Sequence, residues 1–382
     1  MKKALGVILC AILFLDVISI CLMAFLSGDD AEKTADVPGS VSDGLFSRVR
    51  ITAAGDNLVT QAVYGSAGAG TESDYDFAPV YENAASVISS ADIAVLNQLT
   101  LISTMHNISG TDIYNSPSQL GDEMVRLGFD LINMANNHML DFGEAGLKSA
   151  NDFWLGKGVK TIGVIEEESN PDYFTVCEVN GMRIAFVSVT SSMGSNTLPA
   201  DSSLKVLLTS EESFIQQAIA AAESSAECTV VLAHWGERDS LLPSEETQTL
   251  AAKMGDWGAD VIIGSGSGNL QSVEFIVNRD NSRTLVAYSL GNFVSSADSI
   301  SQLLGGILSF DITRNNNTGD VIIEKIDLEG VVTHYGYEET GIRLYLLSEY
   351  TDETAKRHGV TVKDKDFNLT NLKSALQSCK NY

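Results

Sequence analysis

From Arg48 onward the chain alternates short, β-branched apolar runs with longer stretches of helical spacing, and the apolar runs end in loops rich in Gly, Asn or His. The runs cover residues 49–53, 93–96, 131–135, 184–190, 229–233, 261–263 and 285–288. Helix-favouring segments lie between them at 119–127, 144–154, 211–222 and 245–257. Runs of this kind suit strands buried in a sheet, and strands alternating with helices predict an α/β domain. No internal repeat is present. Beyond Gly305 the texture changes: 307–312 and 321–328 read as strands joined by a turn at Asn315-Asn316-Asn317-Thr318-Gly319. Residues 349–358 read as a helix, and the end of the chain as a polar tail.

The first residues carry a different message. Met1-Lys2-Lys3 precedes residues 4–26, which hold no basic residue. Roughly 20 apolar residues suffice to cross a bilayer core. Asp16 inside this stretch would cost about 2.5–3.5 kcal/mol at mid-span, which the surrounding Leu, Ile, Phe and Val can offset. The lysines before it and Asp29, Asp30 and Glu32 after it put the N-terminus in the cytoplasm and the rest outside. The length of the run and the lack of an Ala-x-Ala site favour a retained signal-anchor over a cleaved signal peptide. Residues 28–47 are small, polar and acidic, as expected of a tether.

The chain has 382 residues, with 24 Lys+Arg against 50 Asp+Glu for a formal charge of −26. Such a surface repels nucleic acid, so no nucleic-acid partner is expected. The five cysteines form no CxxC pair, which excludes a zinc ribbon. Cys177 and Cys228 sit beside apolar runs and read as buried free thiols, with a bridge between them left open.

Polar residues cluster where the apolar runs stop: Gly55-Asp56-Asn57, Asn136-Asn137-His138 with Asp141 and Gly143, His234-Trp235-Gly236-Glu237, Gly264-Ser265-Gly266-Ser267-Gly268, and Ser289-Leu290-Gly291-Asn292. Ligand sites of open α/β sheets lie beyond the carboxyl ends of the strands, so these loops could meet on one crest. Carboxylate, amide and imidazole together suit a divalent ion and metal-assisted hydrolysis. Each residue alone also has a plainer reading. Asp56 could form an Asx-turn, Asn136-Asn137 could be turn residues, and His234 could be a hydrogen-bonded structural imidazole.

These loops resemble the CapA family of bacterial capsule (poly-γ-glutamate) synthesis proteins. The resemblance rests on Gly55-Asp56, on Asn136-Asn137-His138 with Asp141 and Gly143, on His234-Trp235-Gly236-Glu237 and on Tyr288-Ser289-Leu290-Gly291-Asn292-Phe293. It implies a calcineurin-like metallophosphatase fold: a sandwich of two β-sheets flanked by helices, here preceded by one transmembrane helix. The organisation expected is a signal-anchor over 1–27, a linker over 28–47, the CapA-like domain over 48–336 and a C-terminal extension over 337–382. The resemblance makes Asp56, Asn137 and His234 metal ligands and His138 a catalytic donor to the leaving group. Glu237 and Asp141 would either support the metal ligands from behind or fix the loops.

The sequence also departs from the family. Asn97-Gln98-Leu99 stands where the family has Asn-Leu-Glu, and Gly266-Ser267-Gly268 replaces a His-Pro-His element. Gln98 could lend an oxygen, and the Gly-Ser-Gly-Ser-Gly loop could form an anion nest, although a flexible loop is the better expectation. With one carboxylate ligand and two imidazoles missing, an intact dinuclear centre is not expected. The cofactor expectation is therefore none, or one divalent ion (Mn, Zn or Fe).

The losses favour a non-catalytic subunit of surface-polymer synthesis, export or anchoring. The alternative is a metal-dependent hydrolase of a phosphoester or polymer amide working through Asp56, Asn137, His138 and His234. A third reading, a scaffolding ectodomain unrelated to capsule, predicts unchanged surface polymer on deletion. Expected partners are the membrane subunits of a polymer synthase, or the anionic polymer itself, whose like charge makes direct grip harder to argue. The expected location is the bacterial cell membrane, single-pass, with the main domain extracytoplasmic.

Overall fold

A strand covered on both faces needs an apolar side chain at nearly every position, because successive residues point to opposite sides. That demand accounts for the continuous runs in this chain. The computed structural model describes residues 44–68, 74–166, 172–337 and 340–382. The predicted span over 1–27 and all but the last residues of the predicted linker lie outside the described residues. Among the described residues no helix is long and apolar enough to cross a membrane.

In chain order the strands of the two large sheets begin with β1 (Phe46–Asn57), β2 (Ile93–Asn97), β3 (Leu131–Asn133), β4 (Lys160–Ile162) and β5 (Phe174–Val179). Next come β6 (Met182–Thr190), β7 (Cys228–His234), β8 (Val261–Ser265), β9 (Val273–Val277) and β10 (Arg283–Ala287). The last are β11 (Asn292–Val294), β12 (Leu304–Asn315), β13 (Val321–His334), β14 (Arg343–Leu346) and β15 (Lys380–Asn381). The longer helices are α1 (Ser118–Leu127), α2 (Gly143–Gly156), α3 (Glu212–Ser225), α4 (Glu245–Asp256) and α5 (Leu369–Cys379). The first sheet runs β14-β13-β12-β1-β2-β3-β4, with β11 joining the end of β1, and the second runs β15-β9-β10-β8-β7-β6-β5. Strands β1 to β4 are mutually parallel, as are β6, β7, β8 and β10.

Alternate residues of the second sheet serve two cores. Ile184, Phe186, Val230, Leu232, Val261 and Ile263 share a core with Ile51 and Leu96 of the first sheet. Their neighbours Ala185, Val187, Val231, Ala233 and Ile262 pack with Ile215 and Ile219 of α3 and Leu250 and Met254 of α4. The α/β architecture of two sheets flanked by helices is therefore as expected.

Several boundaries differ from the sequence reading. The run at 49–53 is the middle of a twelve-residue strand: β1 pairs with β12 from Phe46 to Ala54, and polar Ser47 and Arg48 before the run and Gly55-Asp56-Asn57 after it hid that length. The run at 131–135 stops being strand at Asn133. The expected polar tail is overturned: α5 forms there, with Asn368 accepting from the Asn371 N–H at its start and Leu372 buried. The helix expected at 349–358 shrinks to Asp352–Lys356, capped by Thr351, and is followed by a short 3-10 turn, Gly359–Val362. The predicted extension 337–382 supplies β14 to one sheet and β15 to the other.

Cys177 and Cys228 are free and buried, as first read, and burial raises both thiol pKa values. Ile184 pairs with Cys177 on one side and Cys228 on the other. Two strand spacings, about 9–10 Å, separate them, well beyond what a disulfide spans.

Candidate functional site

The parallel strands of both sheets deliver their last residues to one edge. In the first sheet Asp56 lies opposite Asn97, Asn97 opposite Asn133, and Asp56 opposite Asn292 on its other side. In the second sheet His234 lies between Thr190 and Ser265. The five strand-end loops do meet at this edge. Glycines make the approach possible: a Cβ on Gly55 would fall 2.1 Å from the Gly291 carbonyl oxygen, and one on Gly264 would fall 2.0 Å from that of Tyr288.

Asp56 and His234 are buried here, at 2% and 4% exposure. One Asp56 carboxylate oxygen accepts a short hydrogen bond from the Asn97 side-chain amide. The other accepts from the backbone N–H of Gly266 at 3.1 Å. His234 Nδ1 lies 3.1 Å from Ser265 Oγ, 3.3 Å from Asn97 Nδ2 and 3.5 Å from Asp56 Oδ1. His234 Nε2 lies 3.1 Å from Asn137 Oδ1. The structure thus gathers Asp56, Asn137 and His234, but around the imidazole: Asp56 faces one ring nitrogen and Asn137 the other.

His138 stands on the more open part of the crest. Its Nδ1 is 3.0 Å from Asp141 Oδ2, and its ring meets Tyr114 edge-on with centroids 4.7 Å apart. Asp141 also accepts the Tyr114 backbone N–H at 2.8 Å, so it fixes both loops, as expected. Among the described residues no hydrogen bond links the His138 ring to Asp56, Asn137 or His234. Glu237 is exposed at the loop surface.

Two expectations need correction. Gln98 does not lend its oxygen to the crest. Its Oε1 accepts from Asn57 Nδ2 at 2.8 Å and its Nε2 donates to the Thr100 carbonyl at 2.8 Å. The strand pleat sends Gln98 to the side opposite Asn97. The Gly-Ser-Gly-Ser-Gly loop is neither a free nest nor a loose loop. Its Gly266 N–H is spent on Asp56, and buried Ser267 bonds the Asn269 carbonyl and Ser289 Oγ.

Sequence reasoning gave no site role to Asn97, Asn133 or Ser188, and named Ser265 only as part of its glycine-rich loop. Their common signal is a polar residue in or closing an apolar strand near the edge where Asp56 sits.

A family profile described as "Bacterial capsule synthesis protein PGA_cap" matches residues 50–297. The chain belongs to this family. Among similar proteins, the PGA biosynthesis protein CapA of Bacillus subtilis (strain 168) is 28% identical over 203 residues, 53% of this chain and 52% of that protein. The capsule biosynthesis protein CapA of Bacillus anthracis is 30% identical over 170 residues, 44% of this chain and 40% of that protein. The match therefore spans about half or less of the length of these relatives. Among solved structures, the NAD nucleotidase NadN of Haemophilus influenzae is similar at 14% identity and a TM-score of 0.48, over 87% of this chain and 60% of that one. The calcineurin-like phosphoesterase YfkN of Bacillus subtilis is similar at 13% identity and a TM-score of 0.44, over 86% of this chain and 99% of that one. Likenesses this distant leave the chemistry of this PGA_cap member to be read from its own residues.

Those residues do not fit a dinuclear metal centre. Two divalent ions need several anionic or imidazole donors converging on shared points. Here one carboxylate is in place, and its oxygens already receive N–H donors. Among the described residues no group of three or more His, Cys, Asp and Glu side chains gathers as ligands. No metal-dependent step is derived for this crest.

Proposed function

We propose that this PGA_cap protein is a membrane-tethered, extracytoplasmic, non-catalytic subunit in the synthesis, export or anchoring of a capsular polymer such as poly-γ-glutamate. The observation that carries the reading is the state of Asp56. The carboxylate expected to hold a metal is buried and bonded by the Asn97 amide and the Gly266 N–H. Its partners would be the membrane subunits of the polymer synthase, reached through the apolar segment at residues 4–26 and the crest surface. A formal charge of −26 opposes direct grip on a polyanion and leaves protein contact as the easier route.

The test is complementation. The chromosomal gene is deleted in its host, and surface polymer is measured after return of the wild type, His138→Ala, or a form lacking residues 4–26. The proposal expects loss of polymer on deletion, near-full rescue by His138→Ala and failure of the truncated form. Unchanged polymer on deletion would support a scaffold unrelated to capsule. Loss of rescue by a folded His138→Ala would support the hydrolase, whose best remaining feature is the partly exposed His138–Asp141 pair.

A further inference from the structure

The Asn97 amide has a fixed orientation, and the hydrogen-bond inventory shows which way it points. The Ala135 backbone N–H, which can only donate, lies 3.3 Å from Asn133 Oδ1, and Ser188 Oγ donates to the same oxygen at 2.6 Å. Asn133 must therefore turn its NH2 toward Asn97 Oδ1, 3.0 Å away. That leaves the Asn97 NH2 aimed at Asp56, at Ser265 Oγ at 3.1 Å and at His234 Nδ1 at 3.3 Å. One consistent set of protons satisfies these side chains. Asn97 donates to Asp56 and to Ser265, Ser265 donates to His234 Nδ1, and His234 Nε2–H donates to Asn137 Oδ1.

We propose that the Asn97 side-chain amide is a built-in surrogate for a cation: its NH2 joins Asp56, Ser265 and His234, and so assembles the crest without metal. One N–H dipole of the amide points its positive end at the Asp56 carboxylate, and the other points at the Ser265 hydroxyl, which donates on to the His234 ring nitrogen. An ion placed there would meet those hydrogens head-on. Beneath the amide, on the side away from Asp56 and His234, a cavity of about 10 Å³ lined also by Ala53, Val95, Leu232 and Ile263 is at the lower limit for one water. The inference deepens the non-catalytic reading and rests on it for its biological sense, but its geometry stands separately.

The experiment measures metal content and thermal stability of the full-length chain, with EDTA and with Mn, Zn or Fe(II), for the wild type, Asn97→Asp and Asn97→Asp/His234→Ala. The expected wild type carries substoichiometric metal, and its Tm is the same in EDTA and in metal. Asn97→Asp removes the donor and adds a second carboxylate beside Asp56. It should gain about one equivalent of metal and a metal-dependent rise in Tm by mass action, both lost in the double variant. Stoichiometric metal in the wild type, removed by EDTA with a fall in Tm, would overturn the surrogate whether or not the variants fold. A folded Asn97→Asp that takes up no metal would also overturn it. Neither result touches the polymer phenotype, so failure here and failure of the proposed function are distinguishable.

Discussion

Two regions of this molecule bury histidine, and they do so in opposite ways. At the crest, His234 sits at the end of β7 among an amide, a hydroxyl and a carboxylate, each ring nitrogen facing a polar group. In the C-terminal segment, His334 and His358 sit among aromatic rings, 4.7 Å apart by centroid, with Tyr335 and Phe367 at 4.4 and 4.3 Å from His358. His358 Nδ1 accepts the Val360 N–H at 3.0 Å and its Nε2–H donates to the Thr333 carbonyl at 2.9 Å. His334 Nδ1 pairs with Tyr350 OH at 2.7 Å. Burial pushes both of these histidines down to about 4, and His358 adds to the effect on His334. Burial and satisfied hydrogen bonds therefore do not by themselves mark a functional histidine. What sets His234 apart is convergence: strand ends from two sheets bring unlike polar groups to it, whereas His358 clamps one segment to its neighbour.

The comparison breaks first if one region is peripheral to the fold. A Cβ on Gly264 at the crest would lie 2.0 Å from the Tyr288 carbonyl oxygen, and one on Gly359 beside the clamp 2.2 Å from that of Gly336. In both cases the obstacle is backbone, which gives way only by moving a strand or turn. Gly264→Ala and Gly359→Ala should each lower unfolding free energy by about 3 kcal/mol or more, read from urea denaturation. A near-neutral Gly359→Ala would show that residues 337–382 are dispensable to the domain.

Acid should separate the two regions next. The clamp histidines have folded pKa values of about 4 against 6.5 for an ordinary histidine. Between those values the unfolded chain binds protons that the folded clamp refuses. Their contribution is therefore intact above about pH 6.5, is lost as pH falls toward 4, and is flat below that. Each imidazole accounts for at most about 3 kcal/mol at 1.36 kcal/mol per unit. His358→Gln, which keeps a donor and an acceptor but does not titrate, should remove its share of the slope of stability against pH. An unchanged slope would mean the clamp opens to water before it titrates.

How much of this was legible beforehand follows from the same contrast. The alternating α/β pattern was readable because burial of a sheet on both faces demands apolar residues at every position, as in Val230 to Ala233. The crest was readable as a set of loops because Asp56, Asn137 and His234 each follow an apolar run. Asn97 was not recognised as a member, because its role depends on which way an amide points. The Ala135 N–H and the Ser188 hydroxyl, acting through Asn133, decide that orientation. Helix α5 was missed for a different reason. Leu369, Leu372, Leu376 and Cys379 do recur at helical spacing, but polar residues separate them, and the core they pack on is built by distant strands.

A smaller test asks whether the clamp's polar contacts matter beyond its rings. Tyr350→Phe deletes the hydroxyl opposite His334 Nδ1 and leaves a largely buried ring nitrogen unpaired, at a cost of about 1–2 kcal/mol. Double substitution with His334→Phe should recover part of that loss, since removing both partners of a buried pair is cheaper than removing one. Strictly additive losses in thermal unfolding would show that the 2.7 Å contact contributes nothing.

The smallest effect belongs to the open side of the crest. Asp141 accepts the Tyr114 N–H at 2.8 Å and faces His138 Nδ1 at 3.0 Å. In Asp141→Asn the new amide can offer its oxygen to Tyr114 and its NH2 to His138. The imidazole then has to accept at Nδ1, so its proton moves to Nε2 and the loop keeps both bonds. Stability should change by less than about 1 kcal/mol, because the pair is partly exposed and one hydrogen bond replaces another. Nitrogen-15 shifts of the His138 ring should instead report the tautomer exchange. If Asp141→Asn costs as much as Tyr350→Phe, the His138 loop is held as rigidly as the clamp. The crest would then have no part set aside from the structural work of the fold.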